Sequence, residues 1–377
     1  MRLLFLKTKH IGDALLMTPA LTAVREQHPQ AEITVVVRAG TEGILAGCPA
    51  IDRLLTTAAP ERGRRAGARW RDGAPAREVG RREPRVRLRR GREMWGSGGR
   101  GSRPSAGSRQ RGLRRRKPDI AFELGDCDRG RWLAWLSGAR VRRGTRRHFK
   151  LGPVARRLLN RWSDTEWLRL HRAEKDFHTV REALPLDGPV PPLCFLRERV
   201  LPWPEAPADG PFAVIHPTAR WPEKRWPAEH WVEVGRHLLS CLDRLVISSG
   251  PDPGERAEAA HIAGALGPRA LSTDGRASWA QLAGLLWRAR LFAGVDTAAI
   301  HLAAACQCPA VALFGPSISG YWRPWRVAHE IVSPAEKPEF ATSLEHALEL
   351  RRPGTGATQG PAVGTACNRL LAAGRRA

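Results

Sequence analysis

The first 25 residues constrain the fold most, because they have the pattern of a buried strand, a tight polar loop and a helix. Residues 3–6 are uniformly apolar, and the polar loop after them contains Gly12 and Asp13. Small and apolar side chains then continue to Val24. An apolar strand followed directly by a helix is typical of a parallel α/β sheet, whose ligands bind beyond the carboxyl ends of the strands. The pattern therefore places Gly12 and Asp13 at a ligand-binding edge.

The same alternation of strands and helices recurs in two halves of the chain. It continues from the first unit to residue 57, resumes at residue 119, and starts again at Phe212. Eight prolines between residues 185 and 211 indicate a linker between the halves. These features predict two doubly wound, Rossmann-like α/β domains that face a cleft. The expected divisions are residues 1–185, residues 186–350, and a Gly-, Ala- and Arg-rich low-complexity tail at 351–377 with no core pattern.

An Arg-rich segment, residues 61–117, interrupts the first domain. It carries 20 arginines and one lysine against five acids, so it supplies +16 of the formal net charge of +25. Large apolar residues are sparse in it, so we expect disorder. Two explanations are open: an out-of-frame translation of a GC-rich gene, or a basic arm for RNA or anionic lipid. The segment has no aromatic stacking platform and no folded nucleic-acid motif, which disfavours nucleic acid as a partner.

The cysteine pattern and the length of the apolar segments indicate in which cellular compartment the protein works. The seven cysteines include no CxxC pair, a pattern that favours reduced thiols over a disulfide framework or a zinc site. No stretch has the apolar length needed to span a bilayer, and Lys7 and Lys9 interrupt the N-terminal apolar run too early for a signal peptide. We therefore expect a cytoplasmic protein with no metal and no cofactor.

In the second half, small and polar residues follow four predicted strands. Because carboxyl ends of parallel strands share one edge, these residues are expected to line a single site. Asp296 and Thr297 begin a predicted helix, whose free N–H groups and positive dipole end favour a phosphate, and Lys224 would add a mobile positive charge. The candidate residues at this edge are Thr218, Lys224, Gly250, Gly294, Asp296, Thr297, His301 and Gly315.

The candidate residues can also be explained by a role in the fold, without a ligand. Asp13 fits the N-cap of its helix, and Asp296 with Thr297 fits the cap of theirs. Lys224 fits a solvated surface lysine, and His301 fits a hydrogen-bonded core histidine. These alternatives stay open on the residue pattern alone.

Four motifs together resemble glycosyltransferase family 9, the lipopolysaccharide heptosyltransferases, which have a GT-B fold of two Rossmann-like domains. They occur in the order and spacing of that family and cover residues 1–57 and 119–325. The motifs are Lys7-Thr8 with Gly12-Asp13 and Thr18-Pro19-Ala20-Leu21, Lys224-Arg-Trp226-Pro227 with Trp231, Gly294-Val-Asp296-Thr297 with His301, and Phe314-Gly315-Pro316-Ser317.

The resemblance implies an inverting, metal-independent transfer of a heptose from ADP-heptose to the lipopolysaccharide inner core, with peripheral contact at the inner membrane. It implies that Asp13 is the general base, that Lys224 contacts the diphosphate and that Thr218 contributes to phosphate binding. Asp296 and Thr297 match the loop that contacts the donor, and His301 supports that loop.

The chain departs from the family in two places. Ala298 stands where the family usually has Gly, and residues 61–117 replace the middle of the acceptor domain. The alternatives are a transferase with another nucleotide-sugar donor, an inactive paralogue, or a basic protein that binds nucleic acid or membrane through residues 61–117.

Overall fold

The computed structural model describes residues 1–57, 88–90, 117–145, 157–334, 338–343, 346, 349 and 360–373. Disorder is expected for residues 61–117, of which the structure describes only 88–90 and 117; residues 88–90 form a short strand, so the expectation is wrong there. Within the described ranges the chain forms two α/β domains, each built on one sheet.

The first sheet has the order β4-β3-β2-β1-β5-β6-β7. All neighbouring strands are parallel except β3 and β4, which are antiparallel. The central strand β1 is buried from its second residue to its last, as its apolar run predicts. The strands are β1 (Arg2–Lys7), β2 (Glu32–Arg38), β3 (Arg53–Thr57), β4 (Leu88–Arg90), β5 (Ile120–Glu123), β6 (Val141–Thr145) and β7 (Arg161–Ser163).

The predicted helix after β1 is divided in two. Thr18 donates its hydroxyl to the Leu15 carbonyl at 2.7 Å, and Pro19, which has no N–H to donate, stands in the first turn of the second helix. The helices of this domain are α1 (Ile11–Leu16), α2 (Thr18–Gln27), α3 (Asp128–Leu136) and α4 (Arg172–Arg181), with 3₁₀ turns at Glu42–Leu45 and Trp167–Arg169.

The second sheet is fully parallel, with the order β10-β9-β8-β11-β12-β13. Its strands are β8 (Phe212–His216), β9 (Arg244–Ile247), β10 (Ala270–Ser272), β11 (Leu291–Val295), β12 (Ala310–Leu313) and β13 (His329–Val332). Its helices are α5 (Ala228–Cys241), α6 (Pro253–Leu266), α7 (Trp279–Arg288), α8 (Ala298–Ala305), α9 (Ser319–Trp322) and α10 (Gly360–Ala373), with 3₁₀ turns at Arg197–Arg199 and Pro222–Lys224.

The last helix, α10, lies within the segment whose composition indicated no core pattern. It buries one face, including Val363, Ala366 and Cys367, in the core of the second domain. Its other neighbours in that core include Trp231 and Leu238 of α5. Residues 360–373 therefore belong to the second domain.

The two domains contact each other through α1 and α8 and through a second group of residues near α9. The Tyr321 hydroxyl donates to the Leu168 carbonyl at 2.7 Å, and the His171 ring stacks on Trp325 with 4.7 Å between centroids. This packing holds the carboxyl ends of β1 and β11 on facing sides of one cleft. In the described part of the chain, each helix is too short or too polar to cross a membrane.

Candidate active site

Asp13 lies on the first domain, next to the contact that Gly12 makes with α8. It is the third residue of α1, whose N-cap is His10, so the explanation of Asp13 as the N-cap is wrong. The residue is half-buried, and no hydrogen-bond donor among the described residues reaches its carboxylate. The carboxylate is therefore available to accept a proton or a hydrogen bond from a bound molecule.

Gly12 lies at a tight contact between the two domains. A Cβ atom at this position would lie 3.0 Å from His301 Cδ2 and 3.4 Å from Ala298 Cα, both on α8. It would also lie 3.6 Å from the Ala298 methyl group, so the residue that replaces the family's usual Gly packs directly against this loop. The absence of a side chain at Gly12 lets the two domains approach until Asp13 and α8 share one cleft.

A cluster of buried charges lies at the end of β1, just before the helix that carries Asp13. The Lys7 ammonium donates to the Leu124 carbonyl at 2.8 Å and pairs with Asp176, and both side chains are almost fully buried. Burial lowers the pKa of Lys7, but the charges of Asp176 and Asp13 outweigh this effect and raise it, so Lys7 stays protonated. Lys175 pairs with Asp126 at 2.5 Å on the same side.

The sequence reasoning missed this cluster. Its only signal was charged residues at predicted buried positions: Lys7 at the end of an apolar strand, and Lys175 with Asp176 in a predicted helix. Such residues are rarely buried unless they are paired.

On the opposite side of the cleft, Lys224 is held by Asp296. Its ammonium lies 2.5 Å from Asp296 Oδ2 and 3.3 Å from the Asp296 carbonyl oxygen. Only 23% of the Lys224 side chain and 7% of the Asp296 side chain is exposed. The explanation of Lys224 as a freely solvated surface lysine is therefore wrong.

The N-terminus of α8 presents polar atoms that the described residues leave unpartnered. Thr297 is the N-cap residue, but its hydroxyl makes no capping hydrogen bond and has no partner. His301 is 3% exposed, and its Nδ1 likewise has no partner among the described residues. Burial lowers the pKa of His301, so the ring is neutral near pH 7. These atoms and the free N–H groups of the first helical turn can bind an anionic group.

Thr218 and Gly250 meet at a residue that the sequence reasoning missed. The Thr218 hydroxyl donates to Glu255 Oε2 at 2.9 Å, and the Gly250 N–H donates to the same oxygen at 3.2 Å. Thr218 is fully buried. Glu255 therefore joins the loops after β8 and β9, and the only signal for it was an acidic residue in the first turn after Asp252 and Pro253.

The two remaining glycines lie at neighbouring strand ends. Gly294, in β11, is in register with His216 at the end of β8, and a Cβ there would lie 2.7 Å from the Phe292 ring. Gly315 is buried after β12. The described residues contain no group of three or more His, Cys, Asp or Glu side chains arranged to hold a metal ion.

The sequence model of glycosyltransferase family 9 (heptosyltransferase) matches residues 107–348. The chain belongs to this family. It is 36% identical over 115 residues to lipopolysaccharide heptosyltransferase 3 of Escherichia coli, a match that covers 30% of the chain and 34% of that relative. It is 26% identical over 327 residues to lipopolysaccharide heptosyltransferase 1 of Pseudomonas aeruginosa, covering 85% of the chain and 80% of the relative.

Solved structures of family members show the same fold. The E. coli ADP-heptose lps heptosyltransferase II matches all of the chain and all of its own length with a TM-score of 0.69 at 18% identity. The E. coli heptosyltransferase WaaC with ADP matches 98% of the chain and all of its own length, with a TM-score of 0.69 at 21% identity. The predicted GT-B fold, with two facing Rossmann-like domains, is confirmed.

Proposed function

We propose that this family 9 glycosyltransferase moves a heptose from ADP-heptose to the inner core of lipopolysaccharide, with inversion and without a metal ion. The observation that carries the proposal is the pairing of unlike groups across one cleft. Asp13 of the first domain and Asp296 and Lys224 of the second all act electrostatically on the buried His301 ring, and Gly12 lies against the same ring. A carboxylate opposite an anion-binding group is the arrangement that glycosyl transfer from a diphosphate requires.

The proposed step begins with an acceptor hydroxyl beside Asp13. The hydroxyl oxygen attacks the anomeric carbon of the donor, and its proton passes to the Asp13 carboxylate. The bond between the anomeric carbon and the diphosphate oxygen breaks, and the diphosphate leaves toward the second domain. Because Asp13 and the proposed phosphate-binding group belong to different domains, the acceptor would attack from the face opposite the leaving group, which would invert the anomeric configuration.

The negative charge that develops on the diphosphate needs positive partners. The Lys224 ammonium, which Asp296 holds at the cleft, is one. The first N–H groups of α8 and the unpartnered Thr297 hydroxyl are others. The loop that carries Thr218 would contact the same phosphates. The Thr218 hydroxyl itself already donates to Glu255. These groups together would stabilise the leaving group in place of a divalent cation.

The comparisons support the choice of donor and acceptor. The named relatives are lipopolysaccharide heptosyltransferases, and one solved relative is a complex with ADP. The chain spans about a third of the E. coli heptosyltransferase 3 that it matches, so donor, acceptor and activity are transferred here as proposals. A lipid-anchored acceptor made at the inner membrane also implies that the enzyme works from the cytoplasm and touches that membrane peripherally.

The test is a transfer assay with the purified full-length chain. ADP-heptose is offered with a heptose-free lipopolysaccharide core, beside parallel reactions with UDP-, GDP- and ADP-hexoses, and ADP release and product mass are measured. We expect product only with ADP-heptose, an inverted anomeric configuration by NMR, and unchanged turnover with EDTA. Transfer from another nucleotide sugar, a retained configuration or loss of activity with EDTA would each contradict the corresponding part of the proposal.

A further inference from the structure

A short turn of the first domain and the linker between the domains pack tightly against each other. The Leu196 N–H donates to the Gly47 carbonyl at 3.0 Å, and Arg199 donates to the Cys48 carbonyl at 3.5 Å. A Cβ at Gly47 would lie 2.3 Å from the Phe195 ring, so the linker is seated directly on this turn. The contact lies away from the proposed catalytic groups, none of which takes part in it.

This contact brings two cysteines together. Cys48 and Cys194 are both free thiols that flank the contact of Gly47 with Phe195, one on each chain segment, and each side chain influences the pKa of the other. Cys48 is buried, whereas Cys194 is partly exposed, and its main-chain N–H is fixed by Thr18 at 3.1 Å. One thiol of the pair is therefore accessible to a small oxidant, and the second is in place to react with it.

The surroundings of the pair favour a thiolate on the accessible member. The neighbouring Cys48 thiol lowers the pKa of Cys194, burial opposes this effect, and the Arg199 guanidinium adds to it. The neighbouring Cys194 thiol and burial raise the pKa of Cys48. Because the thiolate is the reactive form, Cys194 is the member that would react first.

We propose that Cys48 and Cys194 are a modification site at which a peroxide forms a reversible disulfide between the first domain and the linker. The Cys194 thiolate attacks one peroxide oxygen, the O–O bond breaks, hydroxide leaves, and Cys194 becomes a sulfenic acid. The Cys48 sulfur then attacks the Cys194 sulfur, the S–O bond breaks, and water leaves with the Cys48 proton. The two thiols lose two electrons in total, and the peroxide gains them.

The disulfide would attach the linker covalently to the turn that precedes β3. Because the linker connects the two domains, the bond would restrict any movement of one domain relative to the other. The site itself does not depend on the proposed transfer activity, so the covalent bond can be tested on its own.

The experiment treats the full-length protein with hydrogen peroxide, blocks the remaining thiols with an alkylating reagent, and maps the peptides without reduction. We expect one cross-linked peptide pair containing Cys48 and Cys194, a loss of two of the seven free thiols, and recovery of both with dithiothreitol. Cys194→Ser should abolish the cross-link, while the exposed-cysteine control Cys241→Ser should leave it unchanged.

A second variant tests the order of the reaction. In Cys48→Ala, Cys194 should stop at the sulfenic acid and be labelled by dimedone. Should this variant not fold, the Cys194→Ser comparison still decides the result. Oxidation of Cys241 without a Cys48–Cys194 cross-link, or a cross-link of Cys194 to another cysteine, would overturn the proposal.

Discussion

The two domains share one fold but hold the facing edges of the cleft by different interactions. In the first domain, buried ion pairs of Lys7 with Asp176 and of Lys175 with Asp126 lie beneath the Asp13 loop. In the second domain, the edge combines the Lys224–Asp296 ion pair with a helix N-terminus, a neutral histidine, and hydroxyl and ring atoms that have no partner among the described residues. We infer that the two edges have different roles. The first positions the Asp13 carboxylate, and the second leaves the Thr297 hydroxyl and the His301 ring able to hydrogen-bond a ligand.

The ionisable side chains at the two edges also differ in charge. The buried Lys7 stays charged because acids surround it, whereas burial lowers the pKa of His216 to about 4 and keeps its ring neutral. The ion pairs beneath the first edge are therefore more deeply buried than Lys224–Asp296, and the second edge adds uncharged histidine rings.

Removing the Lys7 charge should have the largest effect on stability. Lys7→Met leaves the Asp176 carboxylate buried and unpaired, which we expect to lower the free energy of unfolding by about 3–5 kcal/mol in denaturant titrations. A second change, Asp176→Leu, in the Lys7→Met background should recover most of the loss. Arg369→Ala, which breaks an exposed pair with Glu330, is the control and should leave the Tm nearly unchanged. Wild-type stability in Lys7→Met would show that the buried pair does not support the loop.

Acid should destabilise the protein through His216. Its pKa is about 4 in the folded chain and about 6.5 when unfolded, so the unfolded state binds more protons between these values and stability falls as the pH is lowered. The contribution of His216 is complete above about pH 6.5, and about 3 kcal/mol of it is lost by pH 4. His216→Asn should flatten the curve of Tm against pH in this range, whereas His261→Asn, at an exposed position, should not. Equal slopes in wild type and His216→Asn would contradict the neutral buried ring.

Lys224→Ala tests whether the edge of the second domain binds the phosphates of the donor. Loss of one charge-assisted hydrogen bond to phosphate should weaken the Kd for ADP-heptose by about 10- to 100-fold in calorimetric titrations. Arg236→Ala removes the same charge from an exposed position of the same domain and should leave the affinity unchanged. An unchanged Kd in Lys224→Ala would remove this residue from phosphate binding.

The contact between the two edges is tested at Gly12. In Gly12→Ala the new methyl group would meet His301 and Ala298, and overpacking should cost about 1–3 kcal/mol of stability and reduce turnover. Gly264→Ala is a matched control, because a methyl group there meets nothing within 4 Å. If both variants behave alike, the close approach of the two domains is not needed.

Much of the fold could be predicted from apolar patterning. The β-loop-α unit at residues 1–25, the strand at 119–124 and most elements between residues 212 and 314 match the structure. The short strands β4, β7, β10 and β13 were missed, because three or four residues are too few to show a period. Helix α10 was missed because its Gly- and Ala-rich composition hides the face that it buries.

The candidate site could be predicted only in part. Polar residues at strand ends mark an edge of the sheet, so the neighbourhood of Lys224 and Asp296 could be expected. Pairings between distant residues could not, because no local pattern connects Lys7 with Asp176 or Thr218 with Glu255. For Asp13 taken alone the sequence favoured the N-cap, and the position of His10 in the structure showed that this was wrong.

The central claim is that Asp13 is the base that faces the donor group of the second domain. It is tested most directly by comparing wild type, Asp13→Asn and the exposed control Asp164→Asn in the transfer assay and in calorimetric binding of ADP-heptose. We predict that Asp13→Asn lowers turnover by about 10²- to 10⁴-fold with an unchanged Kd, while Asp164→Asn behaves as wild type. Turnover in Asp13→Asn close to that of wild type would contradict the account.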